Sequence, residues 1–179
     1  MRALWPGGIV IACQASIALV FGLAAASKVW RPGAFRQFRD SLPRSLPVTT
    51  RLAPALAIAV VLAEVMVTLC VMVPALAAGA FALAGILLLF FTGSILLMMR
   101  RDSREPCYCF GASPQPAGRL EMLRNLVVLA VAAAGLVGAS KMATPGSYAS
   151  WESLLMISAG CVFAILIINA REIADLAKP

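Results

Sequence analysis

The sequence predicts an all-α fold, a polytopic membrane bundle of four to five transmembrane helices with a short interfacial helix. Of its 179 residues, 61% are hydrophobic and only 13% are charged, and the mean hydropathy is +0.92. A soluble globular protein is about half apolar, so this chain has more apolar surface than a soluble fold of its size can bury. Residues 1–179 are therefore expected to form a single integral membrane domain.

Five apolar runs predict the membrane spans, because about 20 such residues cross a bilayer as a helix. The runs cover residues 8–27, 52–73, 75–99, 125–143 and 153–170. Five spans is the preferred count, and four is the alternative if one of the two shorter runs does not insert. The second and third runs meet at Pro74, which predicts a tight helical hairpin.

A short amphipathic helix is expected in the polar segment 28–51. Phe35, Phe38 and Leu42 fall on one helical face, with charged residues elsewhere. Such a helix lies on the membrane surface. Pro43 and Pro47 are expected to end it, because proline cannot continue a helix. The alternative is a solvated basic loop.

The basic residues indicate a membrane topology rather than nucleic-acid binding. Thirteen of the 15 Lys and Arg residues lie in the two long polar segments and the C-terminal tail, and only Arg2 and Lys141 lie on the opposite side. The positive-inside rule places the richer side in the cytoplasm and predicts a multi-pass protein of the inner cell membrane. The chain has no histidine. Ser-His-Asp chemistry, His-ligated haem and most zinc sites are therefore excluded.

Cys107 and Cys109 form a C-x-C pair in a polar loop rich in Gly and Pro. Neighbouring arginines favour the reactive thiolate. A disulfide between residues two apart is geometrically constrained, and strained disulfides are labile and oxidising. The pair therefore predicts thiol–disulfide exchange; two inert thiols, or half of a metal site shared by two chains, are the alternatives. Cys13, Cys70 and Cys161 lie within spans and are expected to pack as small apolar residues.

Four further residues are candidates for the site, Glu64 in a catalytic role and the other three in supporting roles. Glu64 lies inside the second span, where an ionisable group is costly and is usually paired or functional. Lys28, at the end of the first span, is its candidate ion-pair partner. Glu64 could instead be protonated and move a proton during thiol exchange, or make a structural hydrogen bond. Arg124 and Asn125 mark the start of the fourth span, where Asn125 is expected to pair with Glu121 one turn earlier or to hold the cysteine loop.

The same positions carry a resemblance to a known family. A Lys at the end of span one, Pro-x-x-Phe, a proline before span two, a Glu within it, and Cys-x-Cys-Phe-Gly followed by Arg-Asn resemble the MauE family of methylamine-utilisation membrane proteins, within the broader DoxX/DoxD-like membrane proteins. These residues are Lys28, Pro32, Phe35, Pro54, Glu64, Cys107, Cys109, Phe110, Gly111, Arg124 and Asn125. The resemblance covers roughly residues 10–143. Tyr108 stands where a small residue is usual.

The resemblance implies a role in maturing the small subunit of methylamine dehydrogenase, by supporting its disulfide formation, processing or export. A thioredoxin-like protein of the MauD type and that exported subunit would be the partners. Cys107 and Cys109 would exchange electrons, and Glu64 would assist proton transfer or helix packing. Lys28, Phe110, Gly111, Arg124 and Asn125 would support the site, which makes a membrane thiol–disulfide oxidoreductase the candidate enzyme.

Two other function classes remain open from the sequence. One is a membrane oxidoreductase: either a DoxD-like enzyme that uses a quinone bound near Glu64 and Lys28, or a general thiol–disulfide protein for another exported client. The other is a non-enzymatic assembly or transport factor. Quinone is the only cofactor that these alternatives suggest. The lipid bilayer is the expected environment, and no metal or nucleic acid is expected.

Overall fold

The computed structural model describes residues 4–46, 49–100, 118–141, 150–170 and 173. All regular elements in these residues are helices: α1 (Leu4–Val29), α2 (Ala34–Ser45), α3 (Ala53–Cys70), α4 (Pro74–Arg100), α5 (Arg119–Lys141) and α6 (Ser150–Ile168). All except α2 are long and apolar enough to cross a membrane. The expected helical membrane bundle is confirmed, with five candidate spans.

Helix α1 is the centre of the architecture. It packs against α3, α5 and α6, and α4 packs against α3 and α5, so that α1, α3, α4 and α5 form a four-helix bundle. Half of the α1 span is buried, against 11% of the α6 span, so α6 lies on the outside of the bundle. The outward faces of the helices are as apolar as the core, as expected of helices surrounded by lipid.

Helices α3 and α4 form the hairpin that the sequence predicted at Pro74. Residues 71–73 make the turn, in which the Val73 N–H donates to the Cys70 carbonyl at 3.1 Å. Pro74 is the first residue of α4, a position where the missing N–H of proline has no helical acceptor in any case. The turn brings the two helices back against each other.

Glycines allow the helices to approach closely. A Cβ on Gly135 of α5 would overlap the ring of Phe81 on α4, and one on Gly138 would overlap Val10 on α1. A second contact in each pair shows that α5 is antiparallel to both helices: Leu129 lies against Gly85 on α4, and Val131 lines a small pocket with Ile17 on α1. On α6, a Cβ on Gly160 would overlap the Ala12 carbonyl, so the backbones of α6 and α1 approach closely there.

Helix α2 is the short amphipathic helix that the sequence predicted. It follows a turn in which Gly33 adopts a φ of 84°, a left-handed conformation that suits glycine. Phe38 and Leu42 are buried against the bundle, and Phe35 packs beside them. Helix α2 contacts α1, α3 and α4, so it lies across one end of the bundle, which we name the α2 end.

Helix α2 ends at Ser45, between the two prolines that were expected to end it. The expectation is wrong for Pro43, which lies inside the last turn, whereas the helix does end before Pro47. Proline in the last turn removes a single backbone hydrogen bond, and the turn still closes because the Leu46 N–H donates to the Leu42 carbonyl at 2.9 Å.

Candidate functional site

The candidate residues of the sequence divide into two groups. The C-x-C pair and the two residues after it lie outside the described residues: Cys107, Cys109, Phe110 and Gly111. They belong to the stretch of sequence between the end of α4 and the start of α5. Those helix ends are on the same side of the bundle as α2, because Phe38 of α2 and Phe91 in the C-terminal half of α4 both lie beside the Lys28 Nζ, and α5 is antiparallel to α4. The other candidate residues lie on the described helices: Lys28, Glu64, Arg124 and Asn125.

Lys28 and Glu64 form a buried ion pair between α1 and α3. The Lys28 Nζ donates to the Glu64 Oε1 at 2.7 Å. The two side chains are only 2% and 0% exposed. Both residues lie on the inward stripes of their helices, which follow helical periodicity, so their side chains meet inside the bundle. The pairing expected from the sequence is therefore confirmed.

Further groups surround the Lys28 ammonium. Its Nζ donates a second hydrogen bond, of 3.2 Å, to the Ala24 carbonyl one turn earlier on α1. It also lies 5.1 Å from the ring centroid of Phe38 on α2 and 5.8 Å from that of Phe91 on α4. Both distances are within the range of cation–π attraction. We call Lys28, Glu64, Phe38 and Phe91 the Lys28 cluster.

The sequence does not reveal the two aromatic partners of Lys28. Its pattern places Phe38 on the apolar face of an amphipathic helix, but in the structure the Phe38 ring covers a buried cation. Phe91 lies in an uninterrupted apolar run, where the sequence gives no signal that one phenylalanine among its neighbours faces an ammonium group. Only Phe38 has a weak sequence signal for this contact, because it lies on the apolar face of a helix that closely follows Lys28 in the chain.

The burial of this pair carries a large energetic cost that its geometry must offset. Moving a charge out of water costs roughly several kcal/mol for each ion. A short ion pair with additional hydrogen bonds can offset that cost. The Lys28 ammonium has such partners. The Glu64 Oε2 has no hydrogen-bond partner among the described residues. The carboxylate is therefore held through one oxygen, and its other oxygen remains available inside the bundle.

Asn125 is fully buried on α5 at 0% exposure, and the expected pairing with Glu121 is wrong. The Glu121 Oε2 instead accepts a hydrogen bond of 2.9 Å from the Gly118 backbone N–H, at the start of α5. A glutamate three residues into a helix commonly reaches back to the cap residue in this way. The amide group of Asn125 points into the bundle, and neither its Oδ1 nor its Nδ2 has a hydrogen-bond partner in the described parts of the chain.

Asn125 lies near the level of the Lys28 cluster. Gly135 is level with Phe81, and α5 runs antiparallel to α4, so Asn125 is close to the level of Phe91. The Gly138–Val10 contact similarly brings Asn125 near the level of Ala24 on α1. Arg124, the neighbouring residue, is half-buried. Each of α1 to α5 thus contributes a buried side chain at this level of the bundle.

The outward face of α2 is charged. The Arg39 Nε donates to the Asp40 Oδ1 at 2.8 Å, and both side chains are substantially exposed. This hydrogen bond, together with the charges of Arg39, Arg44 and Arg36, lowers the pKa of the Asp40 carboxyl. The carboxylate therefore stays ionised at neutral pH, and α2 presents a polar face away from the bundle.

An apolar groove of about 570 Å³ runs along the outer side of the α1–α3 contact. Its lining contains Val65 and Thr68, which flank Glu64 on α3, but neither Glu64 nor Lys28 lines it. The groove therefore opens toward lipid, whereas the ion pair faces the bundle interior. The residues that line it are Gly22, Ala25, Ala26, Val29, Trp30, Val65, Thr68 and Leu69.

The three cysteines within the spans are free thiols. Cys13 is buried in the core, and Cys70 and Cys161 are half-buried. Cys13 and Cys70 lie toward the end of the bundle opposite α2, where the Gln14 Nε2 donates to the Val71 carbonyl at 2.8 Å. Within the described ranges, no group of three or more Cys, Asp or Glu residues is arranged to hold a metal ion.

Single substitutions of the ion pair should destabilise the protein far more than the double substitution. Lys28→Met or Glu64→Gln leaves one buried charge without its partner, which should lower the free energy of unfolding by about 3–5 kcal/mol. The combined variant removes both charges and should regain most of that loss. Unfolding of the four proteins in detergent measures the difference; a double variant as unstable as the sum of the two singles would contradict the ion pair.

Comparison with known proteins gives one match. A family described as methylamine utilisation protein MauE matches residues 7–138, which is more than half of the 179-residue chain. No curated protein and no solved structure matches the chain. The matched range contains the Lys28 cluster, Asn125 and both residues of the C-x-C pair, and it ends before α6. The chain therefore belongs to the MauE family of methylamine-utilisation proteins and is a multi-pass membrane protein.

Proposed function

We propose that this protein supports maturation of the exported small subunit of methylamine dehydrogenase by thiol–disulfide exchange at Cys107 and Cys109. It acts in the inner cell membrane, together with a thioredoxin-like partner of the MauD type. Membership of the MauE family is the observation that carries this proposal, because the matched range includes both cysteines. A C-x-C pair is also the one feature of the sequence suited to two-electron chemistry.

The proposed reaction exchanges one disulfide for another. A thiolate of one protein attacks the disulfide of the other and forms a mixed disulfide, which the second thiol of the attacking protein then resolves. Two electrons and two protons pass in the net reaction: the attacking dithiol becomes a disulfide, and the attacked disulfide becomes two thiols. Cys107 and Cys109 can serve either as the attacking dithiol or as the attacked disulfide. No cofactor is needed for this step, because the partner's own cysteines are the electron donor or acceptor.

The described helices support this proposal by providing a rigid base for the cysteine segment. Helix α4 ends at Arg100 and α5 begins at Arg119. Helix α4 is held through Phe91 in the Lys28 cluster, and α5 is held by its contact with α4. Glu121 closes the first turn of α5 through the Gly118 N–H. A thiol pair attached to ordered helices can meet a partner protein in a restricted range of positions, which lowers the entropic cost of the encounter.

Replacing both cysteines should abolish maturation without unfolding the protein. In cells that produce methylamine dehydrogenase, Cys107→Ser with Cys109→Ser should leave the small subunit without its native set of disulfides, or degraded, because serine cannot take part in thiol–disulfide exchange. Thiol trapping of the exported subunit, followed by gel electrophoresis, measures its oxidation state. Cys161→Ala is the matched control, since Cys161 lies on α6 outside the matched range.

Normal disulfide formation in the exported subunit in the double serine variant would overturn the proposed thiol chemistry. In that case a cysteine-independent assembly role would be left. Loss of maturation in the Cys161→Ala control as well would indicate a general loss of folded protein, which the amount of each variant in the membrane fraction reports directly.

The side of the membrane that carries the cysteines sets the direction of electron flow. The concentration of Lys and Arg at the α2 end predicts that Cys107 and Cys109 face the cytoplasm. A membrane-impermeant maleimide should then label them only after the cells are permeabilised, and the pair would be the electron-donating end of the pathway. Labelling in intact cells would contradict this topology and would put the pair in direct reach of exported clients.

A further inference from the structure

Two polar side chains inside the bundle carry atoms without partners. The Oε2 of Glu64 and both polar atoms of the Asn125 amide are buried, and none of them has a hydrogen-bond partner among the described residues. Both side chains are 0% exposed. A buried polar group that makes no hydrogen bond is costly, and more so in a membrane span where bulk water is absent. Native buried polar atoms are accordingly satisfied by the protein or by ordered water.

The two side chains face the same interior from opposite sides. Helix α3 packs against α1 and α4, and α5 packs against the same two helices, so α3 and α5 stand opposite each other across the bundle. Glu64 pairs with Lys28, whose Nζ approaches Phe91, and Asn125 is close to the level of Phe91. The carboxylate and the amide therefore lie on opposite walls of one interior layer.

We propose that Glu64 and Asn125 form a buried binding site for water on the axis of the bundle. A water molecule can donate to the Glu64 Oε2, and it can both donate to and accept from the Asn125 amide. Lys28, Phe38 and Phe91 border this layer and are each at most 3% exposed, so the site is closed to bulk solvent. Water is the smallest ligand with both a donor and an acceptor, and such waters are integral parts of protein interiors.

The site completes the hydrogen bonding of the ion pair. Lys28 holds the Oε1 of Glu64, and the bound water holds the Oε2. The carboxylate is thereby hydrated from inside the bundle, although α2 and its Phe38 ring separate it from the aqueous phase. This role is independent of the proposed thiol chemistry, because it involves no cysteine.

The chain is well suited to a direct test because it contains only two asparagines, Asn125 and Asn169. Protein labelled with ¹⁵N at the asparagine side chains gives two NH₂ signals in a detergent micelle. The substitution Asn169→Asp, just beyond the end of α6, removes one of the two NH₂ signals. The loss assigns both signals without disturbing the bundle. Asn169 is the internal reference, since it is only half-buried and its Nδ2 donates to the Ile165 carbonyl at 2.9 Å in an exposed hydrogen bond.

A rotating-frame Overhauser experiment then tests contact between the Asn125 amide and water. In this experiment, cross-peaks from dipolar contact and cross-peaks from chemical exchange have opposite signs, so the two can be told apart. The site predicts a dipolar cross-peak from the Asn125 NH₂ at the water frequency. Absence of that cross-peak overturns the proposal. So does a cross-peak that connects the amide to a protein N–H or to detergent or lipid instead, since the partner would then not be water.

Stability of Asn125→Leu gives a second, independent readout. If a bound water makes hydrogen bonds to the Asn125 amide, leucine at this position removes them. The Glu64 Oε2 then also loses its hydrogen-bond partner, so the unfolding midpoint should fall. An amide that truly lacks partners would instead be improved by leucine, so a rise in the midpoint overturns the proposal. Ser94→Ala is the matched control: Ser94 is buried on α4, its Oγ donates to the Phe91 carbonyl at 2.8 Å, and it lies outside the proposed site.

Discussion

A charged pair inside a membrane bundle must be sealed from lipid on every side, and the architecture of this protein follows from that requirement. Neither Lys28 nor Glu64 could face the hydrocarbon, because an isolated charge at that depth costs several kcal/mol, roughly. The ammonium and carboxylate therefore meet at 2.7 Å on inward faces of α1 and α3. Helix α4 contributes Phe91, and α2 contributes Phe38 from the end of the bundle. The interfacial helix is thus part of the core.

The extent of the family match agrees with this arrangement. The match at residues 7–138 includes every helix that contributes to the Lys28 cluster, together with the chain between α4 and α5 that carries the C-x-C pair. Helix α6 lies beyond it and packs on the outside of α1, where the Ser16 Oγ donates to the Gly160 carbonyl at 3.0 Å. The matched range of this chain therefore coincides with the α1–α5 unit, and α6 packs on the surface of that unit.

Composition and apolar runs were sufficient to predict the helices, because a lipid environment forces each span to satisfy its own backbone hydrogen bonds. The Lys28–Glu64 pair could also be predicted, since two rare charges near the same depth have few other partners. The contacts of Phe91 and Asn125 could not. They depend on how α4 and α5 rotate against α1, which is decided by close contacts at Gly135 and Gly138 rather than by any local pattern. The Glu121 pairing failed for a related reason: helical spacing offered Asn125, but the free backbone N–H at the helix start was the stronger competitor.

The chemical reactivity of the lysines tests the central claim most directly, because the chain has only three, Lys28, Lys141 and Lys178. An amine-acylating reagent applied to the folded protein in detergent, followed by mass spectrometry, reports each lysine separately. Lys141 is exposed and should react, whereas Lys28 should remain unmodified until the protein is denatured. Acylation of Lys28 in the folded protein at the rate of Lys141 would contradict a sealed ion pair at the centre of the bundle.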